Sequence, residues 1–196
     1  MIFTASRKRC SGSSIQRQAL LNYAKRLAFE HHLIADDGWG FDHGTWSVLR
    51  HLYPEANIPV FQLSLDHGRT FAEHLELGRE LLHLREQWVL ILGSGNLVHN
   101  LHLINWQMAT DGYSWSQEFD QKVKQSIENR DISTLAAPDR WGEALLANAH
   151  PTLEHYVPLL YCLGSTDHRD TVSYPYEGIE FGTISMRMAL FQPNSA

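Results

Sequence analysis

The sequence has few of the residues that would define several common kinds of protein. Its 196 residues include only two cysteines, Cys10 and Cys162. They lie far apart and form no CxxC pair, which excludes a disulfide framework and a thiolate zinc site and fits a reducing compartment. Positive charge is also scarce: 16 Lys and Arg stand against 22 Asp and Glu, a formal net charge of −6. Nucleic acid and anionic membrane surfaces both need clustered positive charge, so neither is an expected partner. The one basic cluster, Arg7-Lys8-Arg9, sits near the start of the chain, where termini fray. No apolar run is long enough for a membrane span, and the opening residues lack the apolar core of a signal peptide. The expected location is therefore cytoplasmic. Repeats, linkers and low-complexity stretches are absent, as are a Walker pattern and an H-E-x-x-H helix.

The rest of the composition, 43% hydrophobic and 19% charged, is that of a globular chain long enough for one core. Helical spacing runs through "SSIQRQALLNYAKRLAFEHHL", "TWSVLRHLY", "RTFAEHLELGRELLHLREQ" and "YSWSQEFDQKVKQSIENR". In the last of these, Trp115, Phe119, Val123 and Ile127 form one stripe. "IPVFQLSLD" and "WVLILGSGN" are nearly continuous apolar strands, expected to be buried on both faces. "PTLEHYVPLLYCLG" reads as a helix with Thr152 as N-cap, Gly164 at its end and a kink at Pro158. "GTISMRMALF" alternates like a half-buried strand. The order predicts a single α/β domain with a mixed or mainly parallel central sheet flanked by helices, over residues 13–196. Residues 1–12 are expected to be an irregular lead-in.

Histidine is abundant, with twelve in the chain. His31, His32, His51, His67, His74 and His83 lie in or beside polar or helical stretches and are expected at the surface, whereas His150 and His168 have too little context to rank. Three others stand in more telling places. His99 follows the glycines of "GSGNLVHN" at a strand's carboxyl end, where open α/β sheets gather ligands. Those glycines also allow a plain turn or a phosphate cradle, although Leu92 rules out a G-x-S-x-G elbow. His155 lies in the first turn of its helix beside Glu154, where the positive helix end favours a neutral, ligating imidazole; a partly buried helix histidine is the alternative. His43 in "FDHG" has Asp42 beside it to orient its ring, or is a loop histidine satisfied by backbone. Cys162, in an apolar helix, reads as core.

Taken in order, "WGFDHGTW", "LYPEANIPVFQLSLD", "GSGNLVHNL", "PTLEHYVPLLYCLG" and "YEGIEFGTISM" resemble the 4,5-DOPA extradiol dioxygenase family, the DODA-type ring-opening enzymes related to protocatechuate 4,5-dioxygenase. The resemblance implies a ring-opening enzyme that inserts O2 into a catechol such as DOPA at a mononuclear non-haem metal. Fe(II) is expected for activity, with zinc possible at the same site. It also implies that His155 is a metal ligand, that His99 is a ligand or the acid–base group, and that His43 lies beside the substrate. Catechol and O2 are then the small-molecule partners, and an oligomer is possible.

The family's "GHGSP" and "SAHW" strand ends, each carrying a metal-binding histidine, do not occur in this sequence. The expectation is a shortened member of the family, with the middle of its sheet unfilled and an apolar strand edge left unpaired. A catalytically inactive homologue with residual metal or partner binding remains the alternative.

Overall fold

The computed structural model describes residues 2–6, 38, 40–86 and 89–194. The helix expected over residues 13–33, His31, His32 and Cys10 lie outside the described residues. The chain starts with strand β1 (Ile2–Ser6), where an irregular lead-in was expected. Helix α1 (His43–Leu52) is followed by β2 (Val60–Leu63), helix α2 (Phe71–Glu86) and β3 (Val89–Gly93). A 3-10 turn (Leu101–Leu103) leads to helix α3 (Ser114–Glu128), the single-turn α4 (Ile132–Leu135) and α5 (Glu143–Ala149). Two further 3-10 turns follow α4, Pro138–Trp141 before α5 and Leu153–His155, which runs directly into α6 (Val157–Gly164). The chain closes through β4 (Asp170–Ser173), β5 (Ile179–Glu180), β6 (Ile184–Ser185) and β7 (Leu190–Pro193), so the one strand expected over "GTISMRMALF" is instead two short strands that pair in different sheets, β6 with β5 and β7 with β4.

The sheet departs from expectation. Among the described residues, every strand pair is antiparallel: β2-β1-β3, β4-β7 and β5-β6. The cause lies in β1, which stands between β2 and β3 and runs opposite to both, pairing Thr4 with Phe61 on one side and with Ile91 on the other. Strands β2 and β3 therefore point the same way, as a crossover through α2 requires. They never meet, so no parallel ladder forms and the middle of the sheet is filled. Val60–Leu63 are only half-buried, not covered on both faces.

The core sits under α2, α3 and α6. Phe119, Val123 and Ile127 are buried as the stripe predicts, against Val98, Leu135, Tyr156 and Leu160. A second cluster joins Leu77, Leu81 and Leu84 of α2 to Val89, Val157 and Tyr161. The α2–α6 crossing is close because glycines face backbone. A Cβ on Gly78 would stand 2.7 Å from Tyr161 Cα, and one on Gly164 2.5 Å from Leu75 O. His74, expected at the surface, is 3% exposed at this crossing, with its Nδ1 2.9 Å from Tyr161 Oη. His51, His67 and His83 are exposed as expected. Pro158 does not kink a helix; it occupies the first turn of α6, where its missing N–H has no intrahelical partner to lose.

Candidate active site

Two motifs that are remote in sequence meet at one point. The loop after β3 carries His99, whose backbone N–H donates to Ala149 O at 2.9 Å and whose position pairs with Ile184 of β6. Val98, next to it, is fully buried and accepts from Ser185 N. His155 ends the 3-10 turn before α6. It is held there by Tyr156, which is fully buried and donates its hydroxyl to Leu135 O at 2.8 Å. The His99 and His155 rings stack, with centroids 3.4 Å apart and planes 14° from parallel.

Both rings are disposed to be neutral. Burial lowers the His99 pKa, with Glu154 opposing the shift. Burial, then the neighbouring His99, pushes His155 down to about 4. The cause is desolvation, not the helix end that the sequence pointed to. The Nδ1 of His155 is buried without a hydrogen-bond partner. Thr152 caps the turn by position only; its hydroxyl donates to Glu154 Oε1 at 2.7 Å.

The glycines of "GSG" serve this meeting, because both lie against the chain that carries His155. A Cβ on Gly95 would overlap the His155 carbonyl oxygen, and one on Gly93 would stand 2.7 Å from Cys162 Sγ and 2.8 Å from Pro158 O. The strand end is thus a notch into which the 154–158 backbone fits. Gly95→Ala is expected to displace His155 and to cost about 1–3 kcal/mol through overpacking against backbone that has nowhere to go. Urea unfolding of the variant, with the His155 ring resonance as local reporter, checks this. An unchanged midpoint and resonance would show that the notch yields. Cys162, expected in the core, is only half-buried and lines the same cavity as His155, and desolvation pushes its thiol up to about 11.

His43 is the exposed first residue of α1. Asp42 does not orient it: the Asp42 carboxylate is the helix N-cap and accepts from Thr45 N at 3.0 Å. Among the described residues, His43, Ser94, Gly95, Asn96, Glu154 and His155 line a common cavity. The structure therefore brings His99 onto His155 and sets His43 on the wall that His155 also lines.

The stacked geometry limits how the pair could hold a mononuclear metal. Imidazole ligates through a lone pair in its ring plane. A metal about 2.0–2.1 Å from a nitrogen of each stacked ring would stand well out of the plane of at least one of them. Among the described residues, no group of three or more His, Cys, Asp or Glu is placed to hold a metal ion. The described residues thus do not by themselves make a three-donor site.

Sequence reasoning missed His150, which is 3% exposed beside this pair, and Asn96, whose Nδ2 donates to Ser185 O at 2.8 Å. His150 had a signal in its place next to "PTLEH", but nothing in the local sequence shows what it touches.

In this α/β domain a histidine that follows a strand end stacks on a second one that lines a cavity, a place where small-molecule sites gather. Residues 17–188 match the family described as the catalytic LigB subunit of aromatic ring-opening dioxygenase. The 4,5-DOPA dioxygenase extradiol of Escherichia coli K12 is 40% identical over 76% of this chain and 56% of its own length. That of Portulaca grandiflora is 35% identical over 76% of this chain and 55% of its own. The crystal structure of an uncharacterized protein from Escherichia coli K12 superposes with a TM-score of 0.74 at 35% identity, covering 91% of this chain and 72% of that one. The chain belongs to the aromatic ring-opening dioxygenase family, among its 4,5-DOPA extradiol (DODA-type) members. It spans little more than half the length of these two curated relatives. Among the described residues, no helix is long and apolar enough to cross a membrane.

Proposed function

We propose that this chain acts in extradiol ring opening of a catechol, with DOPA the first candidate. In this reading His155 is the metal-holding donor, His99 the acid–base group and His43 the substrate-side hydrogen-bonding group. The observation that supports it is the stacked pair of neutral imidazoles beside a cavity that His43 and His155 share. Near-parallel rings argue for divided roles: one imidazole ligates, and the other takes a proton from a catechol hydroxyl and returns it to the opened product. His43, exposed on the cavity wall, is placed to bond a catechol oxygen. Fe(II) is the proposed metal, with zinc a redox-silent occupant of the same donors.

A second reading is favoured by one observation, the absence of a third donor beside the pair among the described residues. It is a family member that binds metal, a catechol or a partner without turning substrate over. One experiment separates the two. The purified chain, shown to be folded by circular dichroism, is loaded anaerobically with Fe(II), given L-DOPA and followed for oxygen consumption. Uptake with a yellow product is the expected result; no uptake from folded, iron-exposed protein supports the second reading. His155→Ala is expected to weaken Fe(II) binding by on the order of tenfold or more, whereas His43→Ala spares it and raises the KM for catechol. Metal binding equal to the parent's in His155→Ala would remove that residue's assigned role.

A further inference from the structure

The His99 loop does not hold itself in place. It leaves β3 at Gly93 and is fixed on the helical side by Ser94, whose hydroxyl donates to Gly44 O of α1 at 3.0 Å, and by three bonds to the end of α5, one of them from Asn100 Nδ2 to Asn148 O at 2.7 Å. His99 N donates to Ala149 O, and one residue later the His150 ring meets Leu97 O through Nε2 at 2.9 Å. These two bonds bracket Val98 and clamp the loop to residues 149 and 150. The His150 ring also packs edge-on against Tyr156, with centroids 5.3 Å apart, and against Phe119 at 5.5 Å. Tyr156 directly follows His155, so one buried ring touches both chain segments that deliver the stacked pair.

The tautomer follows from the partner. A carbonyl oxygen only accepts, so Nε2 carries the proton and donates, leaving Nδ1 as a bare acceptor. That Nδ1 is buried without a partner. An apolar side chain of similar size would avoid this unsatisfied atom and pack against Phe119 and Tyr156 as well. What it would lack is the donor to Leu97 O.

We propose that His150 is a positioning residue that, by donating from Nε2 to Leu97 O, holds the Leu97–His99 loop so that the His99 ring lies on His155. The inference concerns the site of the proposed ring-opening activity, but its test reads geometry and does not depend on turnover. In the metal-free protein, stacking shifts the ring protons of His99 and His155 upfield, and long-range proton–nitrogen NMR spectra report each imidazole's tautomer. His150→Leu is expected to lose the mutual upfield shifts, while His74, bonded to Tyr161 at the α2–α6 crossing, keeps its own resonances as a fold control. His150→Gln, whose amide can donate to the same carbonyl, is expected to retain the shifts. Retention in His150→Leu overturns the proposal, and so does equal loss in both variants with His74 unchanged. If His150→Leu does not fold, the parent still decides: an Nε2-protonated His150 supports the proposal, and an Nδ1-protonated one overturns it. Oxygen uptake by the parent is a separate result, so failure of the dioxygenase reading and failure of this one are distinguishable.

Discussion

Arg187→Met is expected to lower stability by about 3–5 kcal/mol, a large part of what a domain of this size has in total. Arg187 and Asp120 are 6% and 8% exposed at the side chain, and the guanidinium grips the carboxylate of α3 through Nε at 3.1 Å to each oxygen and through Nη2. The same guanidinium reaches Glu177 and lies over the Tyr174 ring. Without it, Asp120 keeps one hydrogen-bond donor, the Ser185 hydroxyl at 2.6 Å, and a buried carboxylate with one neutral donor is far from compensated. The damage is local to the site, because Ser185 also pairs with Val98 and Ile184 with His99. The double variant Arg187→Met/Asp120→Leu is expected to recover most of the loss, since removing both charges removes the uncompensated one. Urea midpoints of the parent, single and double variants measure this cycle. A single variant within about 1 kcal/mol of the parent would show that water reaches the pair and screens it.

The second large effect is loss of stability in mild acid. His150 is 3% exposed, and burial holds its pKa down to about 4, against the 6.5 of an unperturbed histidine. In the unfolded chain the group protonates as pH falls through about 6.5, while in the folded protein it stays neutral until about 4. Between those values the unfolded state binds more protons, so stability is complete above about pH 6.5 and declines as pH drops. The loss amounts to about 2 kcal/mol by pH 5 and about 3 kcal/mol at pH 4. His155, held down to about 4, and His99 and His74, lowered by burial too, act in the same direction and add to the loss. Urea unfolding of the metal-free protein at pH 7.5 and pH 5 tests this, with His150→Gln as the control whose acid slope is expected to flatten. Equal midpoints of the parent at the two pH values would mean that His150 titrates in the folded state and is not held neutral.

Much of this molecule was legible from its residues. Phe119, Val123 and Ile127 recur at helical spacing, and a helix that buries one stripe has little choice about which face turns inward. The runs "VFQL" and "VLILG" are strands because apolar, partly β-branched stretches of that length have few other stable places to go. Other features hung on what each residue meets across the fold. His74 looks like a surface residue until Tyr161 of another helix supplies its partner. Asp42 looks like a partner for His43 until the start of α1 claims its carboxylate as a cap. Gly95 looks like a ligand-binding glycine until the His155 backbone is found lying against it.

The division is physical. Local spacing decides which residues can share a helix face or a strand, and an ordered set of motifs decides the family, so the sequence by itself determined the family, the helices around residues 43–52, 71–86 and 114–128, the strands at 60–63 and 89–93, and the three histidines worth testing. Hydrogen-bond partners, desolvation and strand direction depend on groups remote in the chain. Only the tertiary structure therefore decided that β1 runs antiparallel between β2 and β3, that His99 lies on His155, that burial lowers the pKa of both, and that His150 reaches Leu97 O beside them.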